Sequence, residues 1–173
     1  MAEMLDRKDE RIDVADCITE ICENFAELAR SHQVELTNEA TDTSIYTHAN
    51  LIDFKNIISN IVENGIRYSD AGKRDRFLTI SAKSVLFGVS IRVKDNGVGF
   101  SSGKLKVVGR EPVRESASTI TGGGGVGLFL IKKMADSNNI KITIRSEVGV
   151  GTELTISKRE FLPKLRFAKR KKL

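Results

Sequence analysis

Four consecutive glycines, Gly122–Gly125, run into Val126, Gly127 and Leu128 and then into an apolar, Lys-bearing stretch that reaches Lys133. A glycine run loses much conformational entropy on folding and offers no side chain to pack. Two readings are open. The run is a flexible linker, or it is a loop whose backbone N–H groups approach an anion at a helix start. There the free N–H groups and the positive dipole end suit phosphate. The surroundings are those of a soluble globular domain. The chain has 173 residues, enough for one domain with its own core, and is 40% hydrophobic and 29% charged. No apolar run approaches the length of a membrane span, and no signal peptide opens the chain. Cys17 and Cys22 read as free thiols of a reducing compartment, and His32 and His48 have no metal-ligand pattern around them. The net charge of +5 comes from the end of the chain, where Lys158 to Leu173 holds eight Lys and Arg against Glu160 alone. A basic surface for nucleic acid or lipid is therefore a property of the tail only, and no nucleic-acid partner is expected.

Residues 1–12 are rich in charge and read as a disordered or helical lead-in. Val14, Ile18, Ile21, Phe25 and Leu28 then recur at helical spacing and predict an amphipathic helix. Alternation over His32–Thr37 predicts a short strand, with Ser44–Thr47 as its partner. Asn50–Ser69 predicts the second helix, with Leu51, Phe54, Ile57, Ile58, Ile61 and Val62 as its apolar stripe. Asn56, Asn60 and Asn64 stand four apart on another face. Asn is a poor helix former, so the row is either a polar face or a set of amides for a hard cation and phosphate oxygens.

Phe77–Ala82 and Val89–Val93 alternate as strands, and the second runs into Asp95-Asn96-Gly97-Val98-Gly99. Asp95 there either faces a ligand or caps its own turn. Ser101–Thr121 has little periodicity and carries Lys104, Lys106, Arg110 and Arg114, as a functional lid or a disordered connection would. A third helix is expected over Gly125–Asp136. Lys141–Arg145 and Glu153–Ser157 close the chain as strands around Gly149-Val150-Gly151-Thr152.

In this order the elements resemble the ATP-binding catalytic domain of sensor histidine kinases, in the superfamily shared with Hsp90, DNA gyrase and MutL. The likeness covers about Val14 to Ser157. Asn60–Ser69 resembles the N box, Asp95-x-Gly97-x-Gly99 the first glycine box, Gly123-x-Gly125-x-Gly127-Leu128 the second and Gly149-x-Gly151-Thr152 the last.

The resemblance implies a role for each matching position. Asn64 ligates Mg²⁺ and Asn60 lines the same face. Arg67 lies near the phosphates, and Asn60 and Arg67 are the candidate catalytic residues. Tyr68 packs on the adenine side and Thr152 lies beside that pocket. Asp95 accepts the adenine amine, while Gly97 and Gly99 let the base approach the backbone. Lys104 and Arg110 stand among the lid cations that neutralise phosphate. Gly123, Gly125, Val126, Gly127 and Leu128 fold the lid over the nucleotide. In gyrase-like branches the position of Asn60 is a Glu that activates water. An Asn cannot take that proton, which favours phosphoryl transfer to a protein over hydrolysis.

The pattern departs from the family in three places. Neither His32 nor His48 has the phosphoacceptor context, so the accepting His is expected on another domain, and the charged lead-in reads as the end of a linker from it. No Phe follows Phe100 in the lid, so the F box is missing. Gly65 replaces the usual Ala, which either loosens the helix or lets the lid pack closely.

The expected fold is α+β, a two-layer sandwich in which three helices cover a mixed, mainly antiparallel sheet of about five strands. The expected division is a lead-in over 1–12, an ATP-binding catalytic domain over 13–158 and a basic tail over 159–173. The expected function is that of a protein-histidine kinase catalytic domain using ATP and Mg²⁺, on the cytoplasmic side. Its partners are a His-bearing dimerisation domain and a response regulator. The parent protein is expected to be a homodimer, membrane-bound in one version, and the present piece a monomer. A degenerate nucleotide-binding signalling module and a serine kinase of the anti-sigma-factor type are the alternatives. Asn60 argues against the second, which tends to keep a Glu there.

Overall fold

The three segments expected to be helical are helices. The computed structural model describes residues 9–40, 44–101 and 126–160, with residues 126–130 as backbone only. Within them Val14–Ser31 forms α1, Leu51–Arg67 forms α2 and Val126–Ser137 forms α3. The Asp13 carboxylate accepts from the N–H groups of Ala15 and Asp16 at 3.0 and 3.2 Å, and Asn50 accepts from Asp53 N–H at 3.0 Å. Such caps satisfy donors that a helix start leaves open, and each contributes about 1 kcal/mol. Ile18 and Ile21 of α1 and Phe54, Ile57, Ile58, Ile61 and Val62 of α2 are buried, and α2 packs against both other helices.

The strands are β1 (Glu10–Asp13), β2 (Val34–Asn38), β3 (Tyr46–Ala49), β4 (Arg76–Val85), β5 (Gly88–Asp95), β6 (Ile140–Glu147) and β7 (Gly151–Arg159). Five of them make one sheet in the order β2-β4-β5-β7-β6, with β2 and β4 parallel and the other neighbours antiparallel. Leu78, Ile80, Ile91, Val93, Leu154 and Ile156 join the helices in one core. On the solvated side, Arg92 and Arg145 approach Glu153 at 3.8 and 4.0 Å. This is the expected α+β arrangement of helices over a mixed, mainly antiparallel sheet. Cys17 and Cys22 are free, as expected, and burial pushes both thiols up to about 11.

Three expectations change. The strand near Ser44–Thr47 does not partner β2. It is β3, and it pairs antiparallel with β1 in a separate two-stranded sheet, while β2 pairs with β4. Alternation marks a buried face but carries no information on which edge a strand joins. The charged lead-in is partly structure, because Glu10–Asp13 is β1 and Ile12 is buried. Its charges suit the exposed side of that strand, where the Arg11 guanidinium lies 3.7 Å from the centroid of the Tyr46 ring. Lys158, counted with the basic tail, is buried in β7 and donates from Nζ to the Asn138 carbonyl at 2.6 Å. Within the described residues, regular structure runs from Glu10 in β1 to Arg159 in β7.

Candidate functional site

β5 delivers Asp95 to the middle of the sheet, next to Thr152 at the start of β7. Oδ1 of Asp95 accepts from the N–H groups of Gly97 at 2.8 Å and Thr152 at 3.1 Å. Oδ2 faces α2, 3.6 Å from where a Cβ on Gly65 would stand, and takes no hydrogen bond from any described residue. Burial raises the carboxyl above its ordinary value, against the two N–H groups and the Lys73 ammonium. One oxygen is thus fixed by the backbone and the other is left to accept.

The walls around Asp95 close on each other so tightly that side chains are excluded. Gly151 has φ +139°, and a Cβ there would lie 2.2 Å from the Asp95 carbonyl oxygen; Gly99 has φ +66°, and a Cβ would lie 2.0 Å from the Glu147 carbonyl oxygen. Gly97 sits as closely against the Tyr68 carbonyl. The glycines of this box are therefore required by the protein's own packing, whatever they also allow a base to do. Val98 N–H donates to Tyr68 O at 3.1 Å and Gly149 N–H to Val98 O at 2.9 Å, so the end of α2, the turn after β5 and the β6–β7 turn are joined. Gly65 has the same kind of reason, with the sheet as the neighbour. A Cβ would lie 2.2 Å from a δ-carbon of Leu78, so the departure at Gly65 brings α2 onto β4.

On the polar side of α2, the two central Asn residues differ. Asn60 turns its Nδ2 back to the Asn56 carbonyl at 2.7 Å. Asn64 is half-buried, and its carboxamide makes no hydrogen bond to a described residue. Arg67 is exposed and pairs through Nε with Glu63 at 2.7 Å. Tyr68 caps α2 and is half-buried. Val126, Gly127 and Leu128 form the first turn of α3, where backbone N–H groups have no intrahelical partner. Lys104, Arg110, Gly123 and Gly125 lie outside the described residues. No cluster of three or more His, Cys, Asp and Glu that could hold a metal is found among the described residues. A cation here would draw on neutral oxygens such as that of Asn64.

Two contributors were not expected from the sequence. Lys73 donates from Nζ to the carbonyls of Asn96 at 2.5 Å and Val150 at 3.2 Å, which ties the loop after α2 to both glycine turns. Its partners are carbonyls far along the chain, which leave no trace in spacing. Ser146 hydrogen-bonds Thr152 Oγ1 at 2.8 Å and receives Phe100 N–H at 2.8 Å. It lies opposite Thr152 in the β6–β7 register, so a hairpin alignment could have found it.

Comparison with known proteins identifies the family and the fold. Residues 49–160, well over half the chain, match the family model described as histidine kinase-, DNA gyrase B-, and HSP90-like ATPase. The histidine protein kinase SaeS of Staphylococcus aureus (strain USA300) is 30% identical over 103 residues, 58% of this chain and 29% of SaeS. The chain thus spans less than a third of that relative. Among solved structures, the catalytic domain of histidine kinase ThkA superposes with a TM-score of 0.73 at 17% identity, over 88% of this chain and 96% of that one. Full-length ShkA in complex with AMPPNP gives 0.75 at 16% identity, over 90% of this chain and 32% of that one. A mycobacterial sensor histidine kinase, MprB, gives 0.71 at 17% identity, over 87% and 97%. By its matched residues, and with its fold in agreement, the chain belongs to the histidine kinase-, DNA gyrase B- and HSP90-like ATPase family.

Proposed function

We propose that this chain is the ATP-binding catalytic domain of a sensor histidine kinase. It transfers the γ-phosphoryl group of ATP to a His on a phosphoacceptor and dimerisation domain, from which a response regulator takes it. The observation that carries this reading is the Asp95 carboxylate. Oδ1 is held by two backbone N–H groups and Oδ2 is left without a described partner. A fixed acceptor suits the exocyclic amine of adenine and repels the oxo group that guanine carries there. Tyr68, Gly97, Gly99 and Thr152 shape the adenine side.

The carboxamide of Asn64, which makes no hydrogen bond to a described residue, would offer its oxygen to Mg²⁺ beside phosphate and water ligands. When bound, the ion would offset the charge of the phosphates. Asn60, bonded to its own helix, has no basic atom for water, which supports transfer over hydrolysis. Lys104, Arg110 and, once released from Glu63, Arg67 supply positive charge to the transferring group. Gly123, Gly125, Val126, Gly127 and Leu128 bring backbone N–H groups to the phosphates at the start of α3. The domain proper comprises residues 10–160, between a charged lead-in and the basic tail. In the parent protein it faces the cytoplasm of a homodimeric sensor, while this piece alone is a monomer.

Calorimetry with Mg²⁺ and non-hydrolysable ATP and GTP analogues tests the binding half. Heat with the ATP analogue only is expected, and equal binding of the GTP analogue overturns the assignment of Asp95. The transfer half needs the full-length protein. Asn64→Ala should abolish both His phosphorylation and signalling; signalling that survives without phosphorylation would leave a nucleotide-binding module in place of a kinase.

A further inference from the structure

The loop between α2 and β4 carries a cation that surface charge pairing does not explain. Asp70 and Asp75 stand in that loop on either side of Lys73, yet Nζ pairs with neither. It donates instead to the carbonyls of Asn96 at 2.5 Å and Val150 at 3.2 Å. Bonds from a charged donor are the stronger kind. The loop is shaped to present this one. Lys73 N–H donates to the Asp70 carbonyl at 3.0 Å, and the Lys73 carbonyl accepts from Arg76 Nε at 3.1 Å. Arg76 in turn donates from Nη1 to the His32 carbonyl at 2.8 Å, which anchors the loop to the turn between α1 and β2.

Lys73 holds the peptide that holds Asp95. The Asn96 carbonyl and the Gly97 N–H are two ends of one peptide group. The carbonyl accepts from Lys73, and the N–H donates to Asp95 Oδ1 at 2.8 Å. A cation on the carbonyl polarises the amide and strengthens its N–H as a donor, as successive hydrogen bonds in a chain do. Asn96 is fixed by its side chain as well, because Oδ1 accepts from Phe77 N–H at 3.0 Å and Nδ2 donates to the Asp75 carbonyl at 2.7 Å. The second contact bears on the other turn. Val150 lies two residues before Thr152, whose N–H is the other donor to Asp95 Oδ1 at 3.1 Å. One ammonium thus acts on both turns that hold Oδ1, and its charge favours the ionised carboxylate against burial.

We propose that Lys73 is a positioning residue for base recognition: through the Asn96–Gly97 peptide it fixes Oδ1 of Asp95 and so aims Oδ2 at the base. The proposal rests on the adenine reading of Asp95 and deepens it. Both contacts of Nζ are to main chain, so Lys73 acts on the base through Asp95. Without its charge Asp95 moves toward the protonated form, whose hydroxyl is a donor where the adenine amine needs an acceptor.

Lys73→Gln keeps a donor without the charge, and Lys73→Arg keeps both. In the nucleotide-free chain, the Asp95 carboxyl carbon followed by NMR should titrate about half a pH unit or more higher in Lys73→Gln. The Gly97 amide proton should exchange about tenfold faster. Affinity for the ATP analogue is present above the Asp95 value and lost as pH falls through it. In Lys73→Gln that loss should begin at a higher pH, with a deficit of about threefold where Asp95 is partly protonated. Lys73→Arg should follow the parent chain in each measurement. A side chain that only braces the fold would lower affinity equally at every pH and leave the Asp95 titration unmoved, and that result overturns the proposal. So does a Lys73→Arg chain that behaves as Lys73→Gln does. In the parent chain, NMR should show a scalar coupling between Lys73 Nζ and the Asn96 carbonyl carbon; its absence overturns the proposal whether or not the variants fold. A parent chain that binds no ATP analogue sinks the adenine reading instead, because the NMR measurements need no nucleotide.

Discussion

At Asp95, burial and binding pull in opposite directions. Its carboxyl is raised by desolvation, so protonation is easier in the folded chain than in the unfolded one. The stability linked to this group is therefore full at low pH and is lost as pH rises through the folded value. At neutral pH the ionised carboxylate costs stability, and Asp95→Asn should leave the melting temperature unchanged or higher. The amide oxygen can still accept from Gly97 and Thr152. Affinity for the ATP analogue should fall at least tenfold, in line with about 1.5–3 kcal/mol for a charged hydrogen bond. Scanning calorimetry paired with titration calorimetry checks both halves. Glu160 behaves in the opposite way. Burial would raise its carboxyl, but the bonds from Thr47 and His48 outweigh that and hold it below the usual value. Its contribution is present at neutral pH and lost as pH falls through the folded value. Glu160→Gln should accordingly flatten the loss of urea resistance between neutral pH and about pH 3. Of these residues, Asp95 was legible because an alternating strand ended on it and glycines followed at fixed spacing. Lys73 and Glu160 were not, because their roles exist only where distant segments meet.

The helices were the most legible elements and their contacts the least. Periodicity located α1 by its stripe and α2 within two residues at each end, since the stripe that buries is also the stripe that repeats. What α2 packs against was invisible, and Gly65 illustrates the consequence. A helix-interior Gly reads as a loss of about 1 kcal/mol relative to Ala, which would make Gly65→Ala stabilising. The Leu78 side chain occupies the space, and overpacking typically costs about 1–3 kcal/mol. Gly65→Ala should therefore lower stability by about 1 kcal/mol, and Leu78→Val in the same chain should recover part of it. Urea midpoints of the two single variants and the double variant provide the check. A gain from Gly65→Ala alone would mean that the helix stands off the sheet. β3 taught the same lesson for strands, since its alternation was right and its partner was wrong.

For the whole molecule, charge at the ends of the described chain conceals buried structure. Residues at both ends looked solvated because they are basic or acidic, yet Ile12 is core and Lys158 is buried against Asn138. Asn138 also gives a hydrogen bond to Asp53 and takes one from Asn50 N–H, so the start of α2, the end of α3 and β7 share one buried polar junction. A chain cut after residue 160 should melt as the parent does. A cut after residue 157 removes Lys158 and Glu160 and should lower the urea midpoint by at least about 1 M, or roughly 2 kcal/mol at a typical slope.

The last strand of this sheet is an interior one. β7 lies between β5 and β6, and its second residue supplies the Thr152 N–H that holds Asp95. During synthesis, then, the helix that bears Asn64 and the strand that bears Asp95 emerge with nothing to bind. The pocket is assembled only when the hairpin of β6 and β7 docks beside β5, a closure across a long stretch of chain that is slow by its topology. Nucleotide bound at Asp95 as proposed would recognise only the finished domain, so it would stabilise complete chains and add nothing to those that stop short. Occupancy of the site thus reports on the integrity of the chain as well as on the supply of nucleotide.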